Sequence, residues 1–162
     1  MHIKIKNKKL LFDNYKVKCS IGKRGICKKK KEGDNTTPKG TYKFISLYYR
    51  KDRIKKIKSK IKKTIIRKNM GWCDDPKSKD YNKLIKFPYD FTAEKLYLKE
   101  SIYDYILVLD YNTKSTKRGM GSAIFLHIAK RNYKSTRGCI AISKKHMKIL
   151  LDKINKNTKI TI

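Results

Sequence analysis

At residues 122–142 the chain reads SAIFLHIAKRNYKSTRGCIAI, an apolar run followed by a polar loop and a Gly-Cys pair before a second apolar run. The first run, 122–128, predicts a β-strand. Because side chains alternate along a strand, Ala123, Phe125 and His127 should share one face, and the residues between them should share the other. The strand would hold the His127 imidazole on a rigid element.

The polar loop 129–137 is long enough to turn back and bring Cys139 alongside His127. Nucleophilic cysteine chemistry needs such a thiol, with a base in hydrogen-bond reach and backbone N–H groups nearby. A lone cysteine is more often a small buried apolar residue, and a lone histidine is more often a core residue. Taken together with Thr136 and Gly138, the pair predicts catalysis. We expect one imidazole nitrogen about 3–4 Å from the sulfur, and the other nitrogen on a carbonyl or hydroxyl acceptor.

The order His127, loop, Thr136-Arg137-Gly138-Cys139-Ile140 resembles the signature of the L,D-transpeptidase family, the YkuD-like catalytic domain. Members carry a histidine, a variable loop and then Ser/Thr-x-Gly-Cys before an aliphatic residue. Many also have an arginine two positions after the cysteine, where this chain has Ala141, and a longer loop. These departures concern substrate binding rather than the Cys/His pair.

Two further stretches extend the resemblance along most of the chain. Residues 33–40 read GDNTTPKG, similar to the family's Gly-Asp-x-x-Thr-Pro-x-Gly turn, which is mainly structural. Residues 71–76 read GWCDDP and are followed by Tyr81-Asn82, as in a bacterial branch of the family. Asp-Asp-Pro is also a common turn sequence. By resemblance, this loop forms one wall of the substrate cleft, with Trp72, Asp74 and Tyr81 as candidate lining residues.

The resemblance implies a mostly β fold. We expect a single β-sandwich catalytic domain over residues 1–162, with one or two peripheral helices. It also implies an acyl transfer from a peptidoglycan stem peptide to an amine through a Cys139 thioester, with no metal or organic cofactor. A hydrolase, such as an L,D-carboxypeptidase or amidase using the same pair, remains an alternative.

The chemistry assigns roles to the residues around the cysteine. His127 would take the thiol proton, and the backbone N–H groups of Gly138 and Cys139 would stabilise the oxyanion. Thr136 would orient the site, and the Arg137 charge would favour the thiolate and attract an acidic peptide.

The formal net charge of +31 over 162 residues would attract polyanions. A non-enzymatic, basic nucleic-acid-binding protein is therefore a competing interpretation. Lysine is spread over nearly every segment, and an AT-rich coding bias toward lysine would give the same composition. We therefore expect nonspecific attraction to polyanions and no specific nucleic-acid partner. We further expect a monomer.

The four cysteines do not follow a paired zinc-binding spacing. A Cys19–Cys27 disulfide remains an alternative for an exported protein, but reduced thiols are preferred. The N-terminus alternates apolar and basic residues without the apolar core of a signal peptide, and no run has the length of a transmembrane helix. The sequence alone thus predicts a soluble cytoplasmic protein, whereas the resemblance implies the periplasm or cell envelope.

Local patterns predict the remaining elements. Strands are expected over 1–6, 15–19, 41–46, 101–111 and 158–162, and a helix N-capped by Ser143 over 143–154. Isoleucines near helical spacing in the lysine-rich insertion 50–68 suggest either a basic amphipathic helix against a membrane or RNA, or a solvated insertion with a few residues docked on the core. We favour the docked insertion.

Overall fold

The computed structural model describes residues 1–28 and 31–162. Within them the chain forms fourteen β-strands, one α-helix and two short 3-10 helices. In chain order the strands and the helix are β1 (His2–Lys6), β2 (Lys9–Phe12), β3 (Tyr15–Ser20), β4 (Ile26–Cys27), β5 (Thr37–Pro38), β6 (Thr41–Tyr49), β7 (Lys63–Ile65), β8 (Met70–Cys73), β9 (Leu84–Lys86), β10 (Ala93–Lys95), β11 (Tyr105–Leu109), β12 (Phe125–Ile128), β13 (Ile140–Ile142), α1 (Lys144–Lys153) and β14 (Lys159–Thr161).

The predicted mostly β fold is confirmed, but the main sheet closes on itself instead of forming two separate layers. Neighbouring strands follow the order β11-β12-β13-β3-β2-β1-β14-β6, and β6 pairs again with β11. The expected β-sandwich is therefore wrong in this respect. The prediction of a single domain over 1–162 stays a prediction.

Closure depends on the length of β6. Its first three residues, 41–43, pair with β14. Residues 44–49 pair with β11, which is the first strand of the order. The register of the β6–β11 pair shifts between Val108 and Leu109, and such irregularities bend a strand. One bent strand thus joins the two halves of the sheet.

Alternation along the strands divides the apolar residues into two clusters. The inner cluster fills the closed sheet and includes Leu107, Leu126 and Ile140. The buried face of α1 joins this cluster through Met147, Leu150 and Leu151. As predicted, Ser143 caps the helix, because its side chain accepts a hydrogen bond from the His146 N–H.

The outer cluster lies on the other side of β11 and β12, beneath a small sheet of the order β10-β8-β9. It contains Trp72, Tyr103 and Phe125. Leu126 belongs to the inner cluster and Phe125 to the outer one, so the alternation predicted for the His127 strand is confirmed.

Several elements differ from the prediction. The short strands β2, β4, β5 and β7 to β10 were not predicted. In β2 a continuous apolar run follows Lys9, so alternation does not mark the strand. The segment expected as one strand over 101–111 begins instead with the 3-10 helix Ser101–Tyr103, and only β11 is extended. All five β11 residues are buried, as its apolar run indicates.

No helix forms over 50–68, so the second predicted helix is wrong. The segment is irregular apart from β7, and Ile54 and Ile61 are buried in the inner cluster. Lysines three and four positions apart would repel one another on a helix, and isoleucine is a mediocre helix former. Burial of these two isoleucines agrees with the docked residues that we favoured, whereas an insertion at 50–68 stays a prediction.

Among the described residues, 1–28 and 31–162, no helix has the length and apolar character needed to cross a lipid bilayer.

Candidate active site

The candidate pair lies on two neighbouring parallel strands. His127 is in β12, and Cys139 directly precedes β13, which pairs with β12 in the register Leu126 to Ile140. Leu126 and Ile140 both point into the inner cluster, so alternation directs His127 and Cys139 to the outer face. Cys139 packs against the outer cluster, as this arrangement requires. The two side chains share one face of one sheet, as expected for a cysteine and a histidine that act together.

The His127 imidazole is buried and held by its own strand. Its Nδ1 lies 2.9 Å from the backbone oxygen of Ile128. Because a carbonyl only accepts, Nδ1 carries the proton, and in the neutral ring Nε2 keeps a lone pair. Burial lowers the pKa of His127 from 6.5 to about 4, although the hydrogen bond to Ile128 opposes this shift. His127 is therefore a neutral imidazole at neutral pH, with the Nε2 lone pair of a base.

The Cys139 sulfur sits against the start of β12. Its S–H donates to the Ala123 oxygen at 3.0 Å, and the Phe125 N–H donates to the sulfur at 3.4 Å. Cys139 is only partly buried, in contrast to Cys19 on β3 and Cys73 on β8, which are buried. None of the four cysteines, all of which the structure describes, is in a disulfide, so the alternative Cys19–Cys27 bridge does not form.

Thr136 holds the turn before the cysteine. Its hydroxyl donates to the Cys139 oxygen at 2.5 Å and accepts from the Gly138 N–H at 3.2 Å. This agrees with the orienting role expected of Thr136. It also means that an oxyanion would compete with the threonine hydroxyl for the Gly138 N–H, a contact that the sequence does not reveal.

Gly138 is required by its backbone. It has a φ of +144°, and a Cβ there would lie 2.9 Å from the oxygen of Thr36. Thr36 belongs to the GDNTTPKG turn, whose Asp34 carboxylate accepts from both the Thr36 N–H and its hydroxyl. The neighbouring Thr37 hydroxyl accepts from the Gly22 N–H at 2.8 Å. The turn thus packs against the loop that carries the cysteine, in the structural role that the resemblance implies.

Asn82 links the GWCDDP loop to the site. Its Oδ1 accepts from the Trp72 indole N–H and from the Ala123 N–H, both at 3.0 Å. Ala123 has a φ of +51°, which L-residues seldom adopt, and its oxygen is the one that accepts from Cys139. Asn82 thereby fixes the backbone that faces the sulfur. Sequence reasoning noted Asn82 only as part of the resemblance.

Tyr103 forms a second support for the imidazole. Its ring meets the His127 ring edge-on, with centroids 5.3 Å apart. Its hydroxyl donates to Glu94 at 2.5 Å. Burial raises the pKa of Glu94, and burial together with the charges of Glu94 and Cys139 raises that of Tyr103 well above its ordinary value. Arg137 is exposed, and its charge partly offsets both shifts. A lone glutamate in a polar stretch gives no sequence signal for this role.

The protein-family model of the L,D-transpeptidase catalytic domain, YkuD, matches residues 2–162. The chain belongs to this family. The predicted resemblance is confirmed over essentially the whole chain. A search of curated proteins finds no significant match to the chain.

The three candidate cleft residues of this L,D-transpeptidase domain have different surroundings. Trp72 packs edge-on against Phe125 and is buried. Tyr81 is also buried: it donates to Glu32 and accepts from the Gly121 N–H, which ties two loops together. Asp74 is partly exposed and accepts from the Thr92 hydroxyl. Asp74 is therefore the most exposed of the three, and the roles of all three in a substrate cleft stay predictions.

Among the described residues, no group of three or more His, Cys, Asp and Glu side chains has an arrangement that would hold a metal ion. The roles of Cys139, His127, Thr136, Arg137 and Gly138 in catalysis, and the imidazole–sulfur distance, stay predictions.

Proposed function

We propose that this protein is a cysteine-dependent L,D-transpeptidase that acts on peptidoglycan stem peptides. The observation that carries the proposal is the placement of His127 and Cys139 on one face of adjacent strands, with the imidazole in the tautomer whose Nε2 accepts a proton. Family membership supports the reaction class. The cell envelope is where such a substrate is found.

In the proposed first half-reaction, the thiol proton of Cys139 passes to His127 Nε2. The thiolate sulfur then attacks the carbonyl carbon of the donor peptide, and the carbonyl oxygen becomes an oxyanion. Backbone N–H groups at Gly138 and Cys139 stabilise this charge. When the C–N bond breaks, the imidazolium returns its proton to the leaving amine, and a thioester remains.

In the second half-reaction, His127 Nε2 takes a proton from the acceptor amine. The amine nitrogen attacks the thioester carbon, the C–S bond breaks, and the thiolate regains a proton from the imidazolium. Water in place of the amine gives hydrolysis through the same steps, which is the carboxypeptidase or amidase alternative.

The low pKa of His127 has a consequence for the resting enzyme. An imidazole with a pKa of about 4 is too weak a base to keep a stable thiolate–imidazolium pair. The free enzyme thus rests as a thiol beside a neutral imidazole, with the S–H donated to Ala123. Proton transfer then accompanies substrate attack.

The test is mass spectrometry of the intact protein after incubation with a carbapenem and, separately, with purified muropeptides. We expect one covalent adduct on Cys139, and cross-linked products from muropeptides with an amine acceptor. Cys139→Ala should abolish both. Cys73→Ala is the matched control, because Cys73 is a free, buried cysteine in the wall beside the site.

Cys27 is the thiol whose modification would compete with that of Cys139, because it is exposed and not in a disulfide. An adduct that maps to Cys27 and survives in the Cys139→Ala variant would refute the assignment of the nucleophile. Shortened peptides without cross-linked products, still lost in Cys139→Ala, would replace transfer by hydrolysis.

A further inference from the structure

A pocket lies beside the 129–137 loop, and neither His127 nor Cys139 lines it. Its volume is about 450 Å³, and it is lined by Lys8, the end of β3, the turn 21–25 and loop residues 132, 133 and 135. This volume is within the range of small-ligand sites.

The described lining of the pocket is strongly basic. Four of the lining residues are cationic, and none is acidic. They are Lys8, Lys18, Lys23 and Arg24. The Lys18 ammonium also lies 4.9 Å from the centre of the Tyr133 ring, which lines the same pocket. Lysines are spread along the whole sequence, but in the described lining of this pocket no acidic residue offsets them.

Ser20 supplies a hydroxyl that the protein itself does not satisfy. The residue is 3% exposed and lines the pocket, yet its Oγ has no hydrogen-bond partner. Its neighbour Cys19 belongs to the inner cluster, so alternation directs Ser20 to the outer face. Buried hydroxyls are normally paired, and a bound acceptor would satisfy this one.

The backbone of the turn offers no competing donors. The N–H groups of Gly22, Lys23, Arg24 and Gly25 donate to Thr37, Thr136, Asn35 and Gly22 respectively. Recognition therefore falls to side chains, namely ammonium, guanidinium and hydroxyl groups. These are the donors that phosphoryl oxygens accept from most strongly.

We propose that this pocket binds a small molecule that carries a diphosphate group. A single carboxylate would leave most of the four clustered positive charges uncompensated, whereas a diphosphate brings about three negative charges at neutral pH. The volume exceeds that of the diphosphate alone and leaves room for an organic group against Tyr133. The site is separate from the proposed catalytic pair, so it can be tested independently of the proposed function.

The pocket is adjacent to the catalytic loop. The Thr136 N–H donates to the Ile21 oxygen, and the Lys23 N–H donates to the Thr136 oxygen. A ligand held by Lys23 therefore sits next to the backbone that anchors Thr136. Binding should make this part of the loop more resistant to amide hydrogen exchange.

The experiment is calorimetric titration of the full chain with inorganic pyrophosphate, and with a nucleoside diphosphate, at about 150 mM NaCl. Lys18→Ala/Lys23→Ala and Ser20→Ala test the pocket. Lys58→Ala/Lys60→Ala is the control, because it removes the same charge from exposed positions of the 50–68 segment. We expect each pocket variant to weaken pyrophosphate binding about tenfold or more, and the control to change it less than about twofold.

Ser20→Ala is the sharpest variant, because it removes an unsatisfied buried hydroxyl without changing the charge. It should leave the melting temperature of the free protein unchanged or raise it, while reducing the increase that pyrophosphate causes. Equal weakening in the control double variant would mean nonspecific attraction and would overturn the proposal. Absence of measurable pyrophosphate binding at millimolar concentration would do the same. A single-stranded oligonucleotide that binds more tightly than both diphosphates, through the same residues, would replace it by a nucleic-acid site.

Discussion

Acidification between pH 8 and pH 5 should destabilise the fold through His127. Burial lowers its pKa from 6.5 to about 4, so the unfolded chain takes up a proton at a higher pH than the folded chain does. The unfolded state is therefore favoured as the pH falls below about 6.5, and the effect levels off below about 4. For these two pKa values, the loss in free energy of unfolding is about 2 kcal/mol at pH 5 and approaches about 3 kcal/mol at lower pH.

The assay is urea denaturation of the native protein and of His127→Asn across this pH range. Asparagine keeps a short side chain with an N–H donor for the Ile128 oxygen, but it does not titrate. Because other groups titrate equally in both proteins, the difference between the two unfolding free energies isolates His127. That difference should shift by about 2 kcal/mol in favour of the variant between pH 8 and pH 5.

If the native protein and His127→Asn instead show parallel curves, the imidazole is not held neutral by burial. The proposed resting state, a thiol beside a neutral base, would then be wrong.

Three further outcomes test the surroundings of the pair. Gly138→Ala should lower the free energy of unfolding by about 1–3 kcal/mol or more in urea titrations, because φ is +144° and the new Cβ would meet the Thr36 oxygen at 2.9 Å; an unchanged midpoint would contradict the close approach. Tyr103→Phe keeps the ring against His127 but removes the hydrogen bond that lowers the pKa of Glu94, so that pKa should rise further in an NMR titration of the carboxyl group. Binding of RNA should be weak and fall steeply with salt in filter-binding or anisotropy measurements, whereas a tight complex with one RNA sequence at high salt would favour the nucleic-acid interpretation.

Local patterns in the sequence were enough to predict the core of the site. Strict alternation over 122–128 places His127 and Phe125 together, and the Gly-Cys pair after a polar loop brings Cys139 to the neighbouring strand. Ser143 before an apolar-periodic run likewise predicts α1 and its cap. These features depend on side-chain period and short-range chemistry, which are present in the sequence itself.

Features that depend on distant segments were not predictable in this way. Asn82 reaches Ala123 across forty-one positions, and Tyr103 meets His127 only after the outer cluster has formed. Closure of the sheet depends on one strand, β6, with two sets of partners, whereas alternation only assigns faces. In the 50–68 segment, the spacing of the isoleucines suggested a helix. The irregular chain instead buries Ile54 and Ile61 in the inner cluster, so these side chains leave water without forming a helix.

The seam formed by β14 has a consequence for synthesis of the chain on the ribosome. β14 joins β1 to β6 through three residues at 159–161, and it is the last strand in chain order. While earlier segments emerge, the facing edges of β1 and β6 remain without this partner, and unpaired edges are sites of intermolecular strand addition. Contacts such as Ile3 with Ile160 also span nearly the whole chain, which slows folding. Until β14 pairs with both strands, association through these two edges therefore competes with closure of the sheet.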